Sequence, residues 1–249
     1  MIKVLKGMKV IIIDDEPLAR SIVKEYLQSI PGTELVAECG DGFEGIKAIQ
    51  QFQPELIFLD IQMPKISGFE MLELIDSPPA VIFTTAFDEF AIRAFESSAV
   101  DYLLKPFSKD RFEKAIQKYL QQSGAPQTKQ LIENAAALPE QQNRIVVKDG
   151  NKIRIIPVHT IHYLEAADDY VKIVTKDGSF LKKRTMAFFE ESLAAFQFVR
   201  VHRSYIVNIQ LITRIDAYEK DSHLLLLNTG VKLPVSKAGY GKLKAMLGI

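Results

Sequence analysis

Two different periods of hydrophobic and polar positions divide the chain. In the first half, short apolar runs alternate with segments whose apolar residues recur at helical spacing. The runs predict buried strands, and the spaced segments predict amphipathic helices that each cover the strands with one face. Five strands alternating with five helices are typical of a parallel sheet with helices on both faces.

The predicted elements of the first half follow from these patterns and from their end signals. Strands are predicted at residues 9–13, 35–37, 56–59, 81–84 and 100–104. Helices are predicted from residue 17 and at residues 43–49, 69–75, 87–95 and 108–120. Pro17 suits a first helical position because its missing N–H has no partner there anyway. Ser108 is a suitable N-cap for the last helix of this half.

Beyond residue 144 the period changes to two, which predicts a mainly β second half. Strand-like runs occupy residues 145–147, 153–156, 161–164, 170–174, 198–207, 213–218, 223–227 and 231–233. One helix is predicted at 186–196, and Gly-Tyr-Gly at 239–241 reads as a turn before a C-terminal helix. Residues 122–141 have the Gln, Ala and Pro composition of a linker, with a short helix possible at 130–138. The predicted domains are therefore 8–121 and 142–249.

Composition limits the cellular compartments in which this protein is expected. The 249 residues are 47% apolar and 25% charged, which is ordinary for a soluble protein. No apolar run approaches the roughly 20 residues needed to cross a bilayer, so no membrane association is expected. Cys39 is the only cysteine, which rules out an internal disulfide. We expect a cytoplasmic protein.

The net charge of zero conceals an asymmetry between the two halves. Residues 1–121 carry 13 Lys and Arg against 19 Asp and Glu, a net charge of −6. Residues 142–249 carry 17 against 10, a net charge of +7. An acidic half suggests a cation or phosphate site, and a basic half suggests a polyanionic partner, although chance variation between domains is the alternative.

Polar residues end four of the apolar runs of the first half. Asp14 and Asp15 follow the first strand, Asp60 the third, Thr84 and Thr85 close the fourth, and Lys105 follows the fifth. Parallel strands end at one edge of their sheet, so these side chains should converge there. Clustered carboxylates repel one another and need a hard cation such as Mg²⁺. One of them could then act as a nucleophile toward a phosphoryl group, whose oxygens a lysine and a hydroxyl would bind.

Some of these residues, taken singly, have other interpretations that need no phosphoryl or cation site. Asp14 and Asp15 before Pro17 could simply complement a helix dipole. Thr84 could supply the hydroxyl instead of Thr85. Only the ordered combination of residues makes the carboxylate site the stronger interpretation.

The combination resembles the receiver domain of response regulators over residues 8–121. The matching residues are Asp14-Asp15, Asp60 to Pro64, Gly68, Thr85-Ala86 and Lys105-Pro106-Phe107. The resemblance implies a flavodoxin-like (βα)5 fold, Asp60 as phosphoacceptor, and Thr85 and Lys105 as phosphoryl-binding residues. It also implies Mg²⁺ held by Asp14, Asp15, Asp60 and the Gln62 carbonyl, a switch made of Thr85 and Tyr102, and a cis Lys105-Pro106 bond.

The basic half has no helix-turn-helix pattern, but it has a mixed run at residues 198–208. Read as one strand, alternation places Arg200 and His202 on one face and Arg203 and Tyr205 on the other. Arginine can pair with guanine, and Lys, Ser and Tyr can contact phosphates. The run taken alone could equally be an amphipathic surface strand.

This half resembles an all-β LytTR DNA-binding domain over residues 142–249. The resemblance lies in residues 164–172, 198–208 and 233–237. It implies that loops, not a recognition helix, contact DNA, through Asp169, Tyr170, His202, Arg203, Ser204 and Lys237. Asp168 and Asp169 could read cytosine amino groups, although shaping the turn is the favoured interpretation. Lys237 stands where the family often has arginine, whose planar guanidinium suits bidentate base contacts better than an ammonium group does.

Together the two resemblances predict a cytoplasmic response regulator and not an enzyme. A sensor histidine kinase would phosphorylate Asp60, the protein would form a homodimer, and promoter DNA would be its target. One alternative is a phosphatase of the haloacid type with Asp60 as nucleophile, but Gln62 stands where its acid/base would be. Another keeps the receiver and makes the β half a protein-binding module.

Overall fold

The computed structural model describes residues 7–86, 99–121, 143–150, 152–219 and 222–248. The chain divides into two compact units, Met1–Ala135 and Ala136–Ile249. Within the described ranges, no helix is both long enough and apolar enough to cross a membrane.

The first unit is built on a parallel five-stranded sheet. Its strands are β1 Met8–Ile13, β2 Thr33–Cys39, β3 Leu56–Asp60, β4 Ala80–Thr85 and β5 Asp101–Leu104. They lie in the order β2-β1-β3-β4-β5, the arrangement of flavodoxin-like folds. The described helices are α1 Pro17–Leu27, α2 Gly42–Phe52, α3 Gly68–Glu73 and α4 Lys109–Gln121.

Helices cover both faces of this sheet. Val23 and Leu27 of α1 and Phe112 and Ile116 of α4 join one core with alternate residues of β1 and β3. On the other face, Gly45 of α2 lies so close to Ile13 that an added Cβ would be 2.8 Å from its side chain. The near-continuous burial of β1, β3 and β4 follows from this double covering.

The sequence predicted every described element of the first unit, with ends that differ by a few residues. Pro17 opens α1, and the Ser108 hydroxyl accepts a hydrogen bond from the Arg111 N–H at the start of α4. The predicted helix 87–95 and the predicted linker 122–141, with its short helix at 130–138, lie outside the described residues.

The second unit is mainly β. Its strands are β6 Arg144–Asp149, β7 Lys152–Pro157, β8 Ile161–Ala167, β9 Tyr170–Thr175, β10 Gly178–Lys182, β11 Phe198–His202, β12 Tyr205–Asn208, β13 Ile212–Glu219, β14 Ser222–Leu227 and β15 Lys232–Val235. The α-helices among the described residues of this unit are α5 Met186–Ser192 and α6 Lys237–Leu247. The strands form three antiparallel sheets: β10-β9-β8-β12-β11, β13-β14-β15, and the β6-β7 hairpin.

Two cores lie on opposite sides of the five-stranded sheet. Phe198 and Ile206 pack with residues of β6 to β9 and of α5. Their neighbours Val199 and Val207 pack instead with β14, β15 and Leu243 of α6. Because side chains alternate between the two faces of β11 and β12, these strands contribute residues to both cores.

The prediction of one strand over 198–207 was wrong. The chain reverses at Arg203 and Ser204, so β11 and β12 form a hairpin, with Phe198 opposite Asn208 and His202 opposite Tyr205. A register shift between Arg200 and His202 marks a bulge at Val201. Arg203 is therefore a turn residue, and the two-faced arrangement expected from alternation does not hold. A tight polar turn of two residues leaves hydrophobic alternation almost unbroken, which is why the pattern concealed it.

Two further differences concern the second unit. Strand β10 was not predicted, because Gly178 and Ser179 give it a polar start. Gly-Tyr-Gly at 239–241 is not a turn but lies inside α6. Gly239 is needed there because an added Cβ would lie 1.8 Å from the carbonyl oxygen of Val201.

Candidate functional site

The polar residues that end the strands of the first unit meet at one edge of the sheet. Asp14 and Asp15 follow β1, and Asp60 is the last residue of β3. Their carboxylate oxygens lie within 4.8 Å of one another. Lys105, directly after β5, reaches this group from the far side of β4.

Lys105 connects the carboxylates. Its Nζ lies 2.9 Å from Asp14 Oδ2, 3.0 Å from Glu16 Oε2 and 3.3 Å from Asp60 Oδ2. The Lys105-Pro106 peptide bond is cis, as the resemblance implied. Asp14 and Asp60 are both buried, whereas Glu16 is exposed. The ammonium group thus faces two buried carboxylates.

Burial and charge act in opposite directions on these groups. Burial raises the pKa of Asp60 to about 6, against the lowering effect of the Lys105 charge. Burial likewise raises the pKa of Asp14. The pKa of Lys105 is raised although burial lowers it, because its hydrogen bond to Asp14 and the charge of Asp60 outweigh desolvation. Asp60 is therefore mostly ionised at neutral pH but close to its titration range.

Two threonines end β4, and they occupy different positions. The Thr84 hydroxyl donates to Asp14 Oδ2 at 3.4 Å, so it already contacts the carboxylate group. The Thr85 carbonyl accepts the N–H of Lys105 at 2.7 Å, and Thr85 is fully buried. Thr85 is thus the residue after the threonine that contacts Asp14. Its carbonyl is hydrogen-bonded to Lys105, whose ammonium group binds the carboxylates.

The loop after Asp60 is tightly built. The Gln62 N–H donates to Asp60 Oδ1 at 3.3 Å, and the Gly68 N–H donates to the Ile61 carbonyl. An added Cβ at Gly68 would lie 2.3 Å from the Asp60 carbonyl oxygen. The first residue of α3 is therefore packed closely against the backbone of Asp60, the candidate phosphoacceptor. Ser67 and Glu70 form a capping box that fixes this start.

Tyr102 lies on β5, three residues before Lys105. The Arg111 guanidinium stands 5.9 Å from the centre of its ring and also donates to the Tyr102 carbonyl at 2.6 Å. Arg111 in turn pairs with Asp101 through both of its terminal nitrogens. The ring is half-buried at the junction of β5 and α4.

Two contacts at this edge were not anticipated from the sequence. Glu16 binds Lys105, and Arg20 donates to the Asp14 carbonyl at 2.6 Å. The acidic run at residues 14–16 was a sequence signal for Glu16. In the structure its side chain makes no capping hydrogen bond to α1 and binds Lys105 instead. Nothing in the spacing of Arg20 distinguished it from a solvated helix residue.

The residues present fit a hard divalent cation. Asp14, Asp15 and Asp60 carry three negative charges when ionised, Glu16 lies beside them, and among the described residues Lys105 is the single positive charge that pairs with this group. The site therefore keeps an excess of negative charge that a divalent cation can balance. Carboxylate oxygens are the ligands that such ions prefer.

The predicted DNA-contacting residues of the second unit lie in three segments that are joined by hydrogen bonds. The turn after β8 contains Asp168 and Asp169, and the β11-β12 turn contains Arg203 and Ser204. The Ala166 N–H donates to the Ser204 carbonyl at 2.9 Å, so the two turns lie at the same end of the sheet.

The third segment is the start of α6. The Ser236 N–H donates to the Val201 carbonyl at 2.9 Å, which brings Lys237 next to the β11-β12 hairpin. The side chains of Asp169, Tyr170, Arg203 and Lys237 are exposed. Asp168 has a left-handed backbone with φ of 52°, which Asp tolerates, and this supports the turn-shaping interpretation for that residue.

His202 has a defined hydrogen-bond arrangement. Its Nδ1 accepts the N–H of Ser204 at 3.2 Å. Burial and the nearby Arg203 charge lower the pKa of His202, so the neutral ring is favoured. A neutral ring that accepts at Nδ1 carries its proton on Nε2, which is then a hydrogen-bond donor. Tyr205 lies beside it, with ring centres 5.9 Å apart.

Comparison with known proteins finds matches to both units. Residues 10–117 match the family model of the response regulator receiver domain, and residues 151–248 match that of the LytTr DNA-binding domain. The sensory transduction protein LytT of Bacillus cereus is 32% identical over 246 residues, which cover 97% of this chain and 100% of that protein. The transcriptional regulatory protein BtsR of Escherichia coli K12 is 34% identical over 248 residues, with the same two coverages. The solved response regulatory domain of protein mrkE from Klebsiella pneumoniae is 35% identical, covers 45% of this chain and 93% of its own, and has a TM-score of 0.40.

Proposed function

Because the chain belongs to the response regulators that join a receiver domain to a LytTR DNA-binding domain, we propose that phosphorylation of Asp60 controls its binding to DNA. A sensor histidine kinase donates the phosphoryl group, and the phosphorylated protein dimerises on promoter DNA and regulates transcription. The observation that carries the proposal is the convergence of Asp14, Asp15, Asp60 and Lys105 at one sheet edge.

The transfer step needs an ionised acceptor and a countercharge. With a pKa of about 6, Asp60 is mainly a carboxylate at neutral pH. One of its oxygens attacks the phosphorus, an O–P bond forms, and the N–P bond to the kinase histidine breaks. The Lys105 ammonium, now 3.3 Å from Asp60, stays near enough to bind a phosphoryl oxygen as a point charge.

Mg²⁺ is the cation that this site would hold. Asp14, Asp15, Asp60 and the Gln62 carbonyl are its proposed ligands. When bound, the ion supplies Lewis-acid stabilisation of charge on the phosphoryl oxygens. The carboxylates of Asp14, Asp15 and Asp60 would hold and orient it, and those of Asp14 and Asp60 are buried.

The proposed switch consists of Thr85 and Tyr102. Thr84 donates to Asp14, one of the proposed cation ligands. We assign the phosphorylation-dependent contact to Thr85, which directly precedes Ala86 as the receiver resemblance implies, and such conditional contacts shift a two-state equilibrium. The Thr85 carbonyl accepts the N–H of Lys105, which directly follows the strand that carries Tyr102. We assign Tyr102 to transmission toward the β5 and α4 surface, where dimerisation is proposed.

Substitution of the acceptor tests the phosphorylation step. Asp60→Asn is expected to abolish stable phosphate incorporation from the kinase or from a small-molecule phosphodonor, because an amide oxygen is a poor nucleophile. Asp76→Asn, at an exposed loop position, is the matched control and should label like the wild type. Labelling of Asp60→Asn at the wild-type level would refute the assignment.

The DNA-binding part of the proposal rests on the three joined segments of the second unit. Arg203 can pair bidentately with guanine, and the His202 Nε2 proton can go to a base or phosphate acceptor. Ser204, Tyr170 and Lys237 suit phosphate contacts, and Asp169 suits an amino group of cytosine. The net charge of +7 on residues 142–249 supplies the general attraction to a polyanion.

Substitution of Arg203 tests this part. Arg203→Ala should weaken binding to a specific site by about 1–3 kcal/mol and relax base preference at one position. Arg154→Ala, which breaks an exposed ion pair with Asp149 on the β6-β7 hairpin, is the control. An unchanged selective gel shift would argue against the role of Arg203. Retention on DNA that does not fall steeply with salt would favour the protein-binding alternative instead.

A further inference from the structure

We infer that Arg200 is a positioning residue, which holds the Arg203–Ser204 turn in the conformation that binds DNA. The inference rests on the proposed DNA-binding function and adds a residue to which that function assigns no role. Arg200 lies on β11, three residues before Arg203, which is proposed to contact DNA. Its contacts give it a different task.

The Arg200 guanidinium is directed at the protein itself. Its Nη2 donates to the main-chain carbonyl of Arg203 at 3.0 Å. Its Nη1 donates to Glu190 Oε2 of α5, also at 3.0 Å. The second oxygen of Glu190 binds Lys242 of α6 at 2.6 Å. Arg200 therefore ties the turn to α5 directly, and to α6 through Glu190.

Burial favours these contacts over a contact with phosphate. The side chain of Arg200 is 27% exposed and that of Glu190 is 34% exposed. The hydrogen bond from Lys242, together with that from Arg200, lowers the pKa of Glu190, so the carboxylate stays charged. Because its two terminal nitrogens already donate to Glu190 and to the Arg203 carbonyl, Arg200 has fewer donors to offer a DNA phosphate than an unpaired arginine has.

The turn needs such an anchor because the hairpin is irregular there. The bulge at Val201 interrupts the ladder between Arg200 and His202, and only two residues separate β11 from β12. Bulges re-aim side chains beside functional sites. A base-reading arginine must be held within about 0.5 Å of its working position. Arg200 fixes the carbonyl of that same arginine, and its planar fork makes two contacts that a lysine ammonium cannot reproduce.

A double-mutant cycle on the full-length protein tests the inference. Arg200→Gln, Arg203→Ala and the double variant are titrated against a selected DNA site and against scrambled DNA. Arg200→Gln should weaken specific binding about tenfold while leaving scrambled-DNA binding and the salt slope unchanged. In the Arg203→Ala background it should add less than about twofold, because residues that act through one another are not additive. Arg154→Gln is the matched control and should change nothing.

Two more variants separate positioning from charge and from folding. Arg200→Lys should recover only part of the lost specificity, since it keeps the charge but not both contacts. Glu190→Gln should lower specific binding in the same direction, because it weakens the second anchor. Thermal unfolding of each variant identifies any loss that comes from unfolded protein.

The outcomes distinguish this inference from the proposed function. Full additivity of Arg200→Gln and Arg203→Ala, full rescue by lysine, or a salt slope reduced by about one would overturn the positioning role. If Arg203→Ala itself leaves selective binding intact, the proposed DNA contact fails and the inference fails with it.

Discussion

At the scale of single residues, the proposed acceptor site is a compromise between burial and charge. Asp60 is buried, yet in the proposed reaction it must be ionised to attack phosphorus. Lys105 makes this possible, because its ammonium lies within 3.3 Å of both Asp14 and Asp60. The pKa of Asp60 nevertheless stays raised, at about 6. Without a bound cation, ionisation of Asp60 therefore lowers the free energy of unfolding.

This compromise predicts that Asp60→Asn stabilises the cation-free protein. A carboxyl whose pKa is about 6 in the folded state and near 3.8 when unfolded binds more protons when folded. Stability from this group is thus highest below pH 4 and is lost as pH rises through 6. At pH 7 the variant should gain about 1–3 kcal/mol in free energy of unfolding. Urea denaturation in EDTA at pH 7 and pH 4 measures it.

The gain should vanish near pH 4 and shrink when Mg²⁺ is added, because a cation that binds the folded wild type stabilises it by mass action. Asp76→Asn should show neither effect. A variant that is less stable than the wild type at pH 7 in EDTA would contradict the argument.

At the scale of elements, close contact between backbones decides how the DNA-contacting segments meet. The bulge at Val201 leaves its carbonyl free of the β11-β12 ladder, and the Ser236 N–H and hydroxyl both donate to it. Helix α6 then packs directly on β11, with Gly239 against the same carbonyl. Lys237 stands beside the hairpin because of this contact, not because of anything near it in sequence.

Two glycines of α6 should therefore respond in opposite ways to alanine. Gly239→Ala places a Cβ 1.8 Å from the Val201 oxygen and should cost about 1–3 kcal/mol through overpacking. Gly241→Ala meets nothing within 4 Å and should stabilise the helix by roughly 0.5–1 kcal/mol. Denaturation of both variants measures this. Equal effects of the two would show that the close approach does not govern packing.

At the scale of the whole molecule, the chain joins an acidic unit to a basic one. A net charge of −6 on residues 1–121 accompanies the proposed cation and phosphoryl site, and +7 on residues 142–249 accompanies the surface proposed for DNA. Linking two copies at one surface raises the effective concentration of the second DNA-binding domain once the first is bound. Phosphorylation can then control DNA affinity without any change in the contacts that each domain makes.

Dimerisation as the output predicts a dependence on paired sites. The phosphate mimic beryllofluoride should raise affinity for DNA with two half-sites at least tenfold, and affinity for a single half-site by less than about twofold. Inserting 5 base pairs between half-sites rotates one by half a turn and should remove most of the gain. Asp60→Asn, which lacks the proposed acceptor carboxylate, is the control, and its DNA affinity should not respond to beryllofluoride. An equal gain on single half-sites would point to a change within each DNA-binding domain.

The sequence predicted more of the first unit than of the second. In the first unit, strand ends mark the site, because parallel topology forces residues 14, 60 and 105 to one edge. In the second unit, the hairpin turn at Arg203 and Ser204 was taken as strand, and Gly239 was taken as part of a turn. Both errors have one cause: hydrophobic periodicity records which face is buried, but not where a polar backbone turns or how closely two backbones approach.

The sequence by itself determined the two fold classes, the acidic site and the family resemblances, since these depend on patterns along the chain. Only the tertiary structure decided that Lys105 binds Asp14, Glu16 and Asp60 together, that Thr84 is already engaged, and that Arg200 holds the Arg203 carbonyl. Those contacts join residues through space at about 3 Å, where a shift of one ångström breaks a hydrogen bond. Residue patterns specify which groups can meet, and packing specifies which of them do.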